Sequence, residues 1–166
     1  LGRNGENIMG YQKDPLVVLT HAGLIILGGI SFLVVWDVVK KRSFRKLFLD
    51  SKMVIAVTVA LLTVGTLVLL AMEYNNAETL GPMPVSQKIL DAFFQSVSPR
   101  TAGFQVIDVG LMTAYSLFFT IMLMFVGGAS GSTAGGIKVN TFGVLLATVW
   151  SSLRGREHAE AFGREM

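Results

Sequence analysis

Gly127-Gly128-Ala129-Ser130-Gly131-Ser132-Thr133-Ala134-Gly135-Gly136 places five glycines in ten residues, between the apolar runs 109–126 and 137–153. Glycine costs about 1 kcal/mol relative to alanine inside a helix. The stretch therefore interrupts a helix that its flanks would otherwise continue. The two runs together exceed the roughly 20 residues that cross a bilayer core of about 30 Å. Non-helical backbone at membrane depth is tolerated only inside protein or beside water. A loop lining a cavity within a membrane protein is the expectation.

Upstream, residues 86–97 carry Ile89, Leu90, Phe93, Phe94 and Val97 at helical spacing, with Ser86 as an expected cap. Twelve residues give about 18 Å, half a bilayer. Ser98-Pro99 ends the segment, and Arg100-Thr101-Ala102-Gly103-Phe104 follows. Beyond Asp108 a long helix is expected from Val109. A short helix, a Gly-containing turn and a long helix, without basic residues between 101 and 126, predict re-entry from the outer face.

Residues 53–72 form a charge-free span that returns to the outside. Glu73, Asn75, Asn76 and Glu78 follow without Lys or Arg, and Gly81-Pro82-Met83-Pro84 breaks the chain. Residues 16–36 read as one further span, begun by Asp14-Pro15 and closed by Trp36 at the interface. Lys40, Lys41, Arg42, Arg45 and Lys46 then form the densest basic cluster, which puts 38–52 in the cytoplasm and 73–85 outside. Arg154 and Arg156 mark the cytoplasm again.

Composition agrees with a lipid solvent. The chain is 52% hydrophobic and 15% charged, against about a quarter charged in soluble domains. Cysteine is absent and the two histidines lie far apart, so thiolate and histidine metal sites are not expected. Both ends read as cut from a longer chain.

The half-helix, the string from Ser98 to Phe104 and the Gly/Ser-broken helix at this separation resemble the Trk/Ktr/HKT superfamily of cation transporters, in particular the bacterial Ktr/Trk membrane subunits. The resemblance implies an all-α membrane protein, with potassium-channel-like helix–pore-loop–helix repeats around a pore. Residues 1–52 would hold the closing helix of the second repeat and a cytoplasmic loop. Residues 53–153 would form the whole third repeat, with its broken closing helix, and 154–166 a cytoplasmic segment. It implies potassium uptake across the plasma membrane by a multi-pass protein that is not an enzyme. Carbonyls of Thr101, Ala102, Gly103 and Phe104 would bind K+. Gly127 to Gly136, with Lys138, would form the gate. It also implies a homodimer in membrane lipid and a cytoplasmic nucleotide-binding regulatory ring. K+ is the expected transported ion, Na+ stays open, and neither a covalently bound cofactor nor a nucleic-acid partner is expected.

The residues themselves support this chemistry. Dehydrated potassium needs oxygens to replace its water shell. Gly103 permits backbone angles closed to other residues, and a helix ending at Val97 turns its negative end towards the ion. The Gly-rich stretch is not a phosphate loop, because Ile137 separates Gly136 from Lys138. Two roles stand open for Lys138: repelling cations from a shut gate, or snorkelling to the interface. Arg100 suits a carboxylate of another repeat or a lipid head group. Asp108 suits a helix cap better than a cation-concentrating role. His21 reads as a packing residue. A different class, an intramembrane serine protease of rhomboid type, would use Gly128-Ala129-Ser130-Gly131 with His21 as base. It would leave the half-helix and its turn without a role.

Overall fold

A computed structural model describes residues 7–100, 102–154, 160–161 and 164–165. Helix α1, Pro15–Gly29, starts where expected: Asp14 accepts from the N–H of Leu16 at 3.0 Å and of Val17 at 3.4 Å. It does not continue to Trp36. Helix α2, Phe32–Lys41, leaves at 99° to it, which corrects the single span expected over 16–36. Gly28-Gly29 weakens the helix at that point, and Ser31 caps α2 by accepting from Leu33 N–H at 3.4 Å.

Helix α3, Leu49–Glu73, is the one helix among the described residues long and apolar enough to cross a membrane alone. Its 25 residues rise about 37 Å. It begins four residues before the predicted span, so Lys52 lies near its start and is buried.

Helix α4, Val85–Val97, is the half-length helix. Pro84 occupies the cap position without a side-chain bond, so Ser86 sits inside the helix rather than capping it. After a 3-10 turn at Val109–Leu111, helix α5 runs Ala114–Phe125. The helix expected from Val109 thus starts later. Asp108 caps only the turn, through Gly110 N–H at 2.9 Å, and Thr113 caps α5 by accepting from Ser116 N–H at 3.3 Å. Helix α6, Val139–Leu153, completes the set. Glu160–Ala161 and Arg164–Glu165 make a two-residue antiparallel pairing that leaves the architecture all-α. Apart from these residues and Arg154, the predicted segment 154–166 lies outside the described residues.

The burial pattern is inverted relative to a water-soluble domain. Leu16, Leu24 and Leu27 of α1, Tyr115, Phe118 and Phe125 of α5, and Trp150 and Leu153 of α6 are exposed. Asp91, Gln95 and Ser96 of α4 are buried with Phe94 and Val97. Exposed apolar surface on this scale requires another apolar phase to cover it. The half-helix packs between α1 and α3. Gly65 admits it: a Cβ there would collide with Ser96 Oγ, which donates to Leu62 O at 3.1 Å. Small residues allow this approach where lipid gives no hydrophobic drive between helices.

The C-terminal end of α3 is tied by polar groups. Glu73 accepts from Asn76 Nδ2 at 2.7 Å, Thr79 Oγ1 at 2.5 Å, Thr113 N–H at 2.9 Å and Thr113 Oγ1 at 2.8 Å. Lys88 donates to Tyr74 O at 2.8 Å. Midway along α4, Asp91 accepts from Gln12 Nε2 at 2.7 Å, which joins the segment before α1 to the half-helix. These bonds fix the height of α4, and with it the loop that follows.

Candidate functional site

The loop after α4 is wound on one residue. The Ser98 carbonyl accepts from Ala102 N–H at 3.1 Å and Gly103 N–H at 3.3 Å, while Ser98 Oγ donates to the Phe104 carbonyl. Thr101 lies outside the described residues. Gly103 has φ +73°, in the left-handed region that favours glycine, and a Cβ there would meet nothing within 4 Å. Its carbonyl accepts from Asn7 Nδ2 at 3.3 Å. The Phe104 ring meets His21 edge-on, with centroids 5.7 Å apart. From sequence, Ser98-Pro99 predicts only the end of the half-helix. The double role of Ser98 has no sequence signal beyond the Ser-Pro pair.

The second loop is an excursion whose ends lie side by side. Ile137 N–H donates to Phe125 O at 3.0 Å, Gly127 N–H to Ile137 O at 2.9 Å, and Val139 N–H to Gly128 O at 3.0 Å. Between these anchors the chain leaves the helix and returns. Glycine is demanded here by contact: a Cβ on Gly127 would collide with the Gly135 carbonyl, and one on Gly128 would lie 2.6 Å from Gly29 O. Gly131 and Gly136 add positive φ, +80° and +76°.

The excursion is seated on the α1–α2 break. Ala129 N–H donates to Gly29 O at 2.9 Å and Thr133 Oγ1 to Gly28 O at 3.4 Å. Two of the terminal carbonyls freed by ending α1 are thereby satisfied. Lys138 Nζ donates to Ala134 O at 2.5 Å, so it holds the loop from within. Ser130 N–H donates to Asn140 Oδ1 at 3.0 Å, and Asn140 Nδ2 bonds to Asp50 of α3. Asn140 escaped the sequence reading, although a lone amide on an otherwise apolar helix is a signal for such a bond.

The two loops face one cleft of about 360 Å³. Arg100, Ala102 and Phe104 line one side, and Gly28, Gly29, Thr133 and Ala134 another. Arg100 also lines a small cavity of about 20 Å³ with Thr58, Gly127 and Gly128, and its Nε is buried without a protein partner among the described residues. The geometry does not assemble a Ser–His pair. His21 Nδ1 bonds to Val17 O at 2.8 Å and its ring to Phe104, while Ser130 sits exposed on the loop held by Asn140. No described hydrogen bond joins the two, so the protease reading loses its base.

An all-α chain with lipid-type burial, a half-length helix and a broken closing helix is a segment of an integral membrane protein of transporter type. The family described as "TrkH: Cation transport protein" matches residues 3–164. The chain belongs to that family of cation transport proteins. It is 41% identical over 161 residues to the Ktr system potassium uptake protein B of Bacillus subtilis (strain 168), covering 97% of this chain and 36% of that protein. It is 38% identical over 160 residues to the Potassium/sodium uptake protein NtpJ of Enterococcus hirae, covering 96% and 35%. The crystal structure of the potassium transporter TrkH from Vibrio parahaemolyticus superposes with a TM-score of 0.71 at 21% identity, covering 97% of this chain and 35% of that one. The chain thus spans about a third of the length of each of these relatives.

Proposed function

We propose that the chain is part of the pore-forming subunit of a Trk/Ktr-type transporter that takes up potassium across the cell membrane. The observation that carries this reading is the single cleft shared by the loop 98–104 and the loop 127–136. An ion leaving the first loop would meet the second. Carbonyls of residues 101–104 replace the water shell of K+, aided by the negative end of α4. Gly127 to Gly136, braced by Lys138, obstruct the path beneath. The Lys138–Ala134 bond favours the bracing role over snorkelling.

The Gly103 carbonyl is held by Asn7 in this conformation, so ion binding there exchanges one partner for another. Four such repeats would complete a filter, and this chain supplies one. A homodimer and a cytoplasmic nucleotide-binding ring are proposals from the same resemblance. The relatives' names include both potassium and sodium, so sodium permeation stays within the proposal. The test is Gly103→Ser in the full-length transporter. The side chain restricts the positive φ and perturbs the carbonyls, so discrimination of K+ from Na+ should fall while protein still reaches the membrane. Unchanged selectivity in normally expressed protein contradicts the filter role.

A further inference from the structure

We propose that the elbow joining α2 to α3 binds an anionic phospholipid of the cytoplasmic leaflet. The elbow is built rigidly. Asp37, buried against α3, accepts from Phe48 N–H at 2.9 Å and pairs with Lys41 at 2.7 Å. Lys41 also lies 3.2 Å over the Phe48 ring. Lys41 is therefore committed. Lys40, Arg42, Arg45 and Lys46 are exposed and have no acidic partner among the described residues.

Beside these charges opens a cleft of about 500 Å³, walled by Val38, Val39, Phe44, Leu47 and Ile55, and lined also by Arg42 and Ser43. Aliphatic and aromatic walls suit an acyl chain. A guanidinium and a hydroxyl on the same cleft suit a phosphate. Charge complementarity alone would equally fit an acidic protein surface. Two further features select lipid. Phe32, Leu33 and Trp36 on α2 are 60% exposed or more, so the helix needs an apolar phase along its length. The 99° turn from α1 also gives a short helix with aromatic residues outward and basic residues at its end, the pattern of an interfacial helix. The proposal rests on membrane insertion and does not depend on the filter or gate assignment.

The test offers purified full-length transporter an equal mixture of dioleoylphosphatidylglycerol and dioleoylphosphatidylcholine and measures retained lipid by native mass spectrometry. Phosphatidylglycerol should be retained in preference. Each basic residue near an anionic surface contributes about a fivefold gain in affinity, so Arg42→Gln should cost about fivefold, and Arg42→Gln with Arg45→Gln and Lys46→Gln on the order of a hundredfold. A cysteine at Ser43 labelled from the cytoplasmic side reports topology. If the triple variant inverts or fails to fold, Arg42→Gln decides, because it leaves the other charges in place. Equal retention of both lipids overturns the proposal. So does unchanged retention in correctly oriented variants, or loss of an acidic cytoplasmic protein with lipid retention intact.

Discussion

The loops 98–104 and 127–136 both carry glycine into the interior of a membrane protein, for different physical reasons. Gly103 stands in open space and is required by its backbone angle. Gly127 and Gly128 are required by contact, because neighbouring backbone occupies the place of a side chain. The first loop is wound chiefly on Ser98 of its own helix, with Asn7 on the Gly103 carbonyl and His21 against the Phe104 ring. The second is fastened to three other elements, through Gly28 and Gly29 of α1, Asp50 of α3 and Asn140 of α6. In the first loop the Gly103 carbonyl is held by Asn7 and the Phe104 carbonyl by Ser98. The second loop rests on a seat formed by those elements.

The largest expected contrast is between Gly127→Ala and Gly103→Ala. The first forces a methyl group into the Gly135 carbonyl, an overpacking against backbone that should cost about 3 kcal/mol or more. The second meets no atom and should cost only the left-handed penalty, about 1–2 kcal/mol. Thermal unfolding of the full-length protein in detergent measures both. Equal losses would erase the distinction between the loops.

Asn140→Ala removes the acceptor of Ser130 N–H and the bond to Asp50, with an expected cost of about 1–2 kcal/mol. Hydrogen exchange at Ser130 should quicken, while Ala102 and Gly103 keep their protection by Ser98. Quickening at both loops would mean that they move as one body. Thr133→Val is the mildest change. It deletes one long bond to Gly28, at most about 0.5–1 kcal/mol, and Ala129 N–H should stay protected. Loss of that protection would make Thr133, rather than the backbone bond to Gly29, the fastening of the seat.

The half-helix was legible because Ile89, Leu90, Phe93, Phe94 and Val97 repeat at helical spacing, and Val85–Val97 is what forms. The broken closing helix was legible because five glycines in ten residues cannot stay helical, and α5 and α6 flank them. The break at Gly29 was not. Its local signal is a glycine pair and a serine inside an apolar run. What stabilises it comes from Ala129 and Thr133, about a hundred residues further along the chain. The late start of α5 was hidden for a related reason. Apolar composition from Val109 onward suits a helix, but Thr113 is drawn to Glu73 of α3 and starts the helix there instead. Gate and filter positions follow from the resemblance to the Trk/Ktr/HKT superfamily, carried by the Ser98–Phe104 string and the glycine-rich break. Ser98, which holds Gly103 N–H, and Asn140, which holds Ser130 N–H within the second loop, act through bonds that composition does not announce.

The central claim is that the loop 127–136 obstructs an ion path beneath the loop 98–104. Its ends already lie together, bridged between Val126 and Ile137, so removing Ser130 to Ala134 shortens the excursion without parting the flanking helices. Ala129 N–H keeps its bond to Gly29 in that variant, and the Ser98 bonds around Gly103 are untouched. The decisive measurement is ion flux through the full-length transporter carrying this deletion, with surface expression and K+ over Na+ selectivity read in parallel. The account predicts normal expression, raised flux, preserved selectivity and loss of control from the cytoplasm. Normal expression with unchanged flux and intact regulation would contradict it.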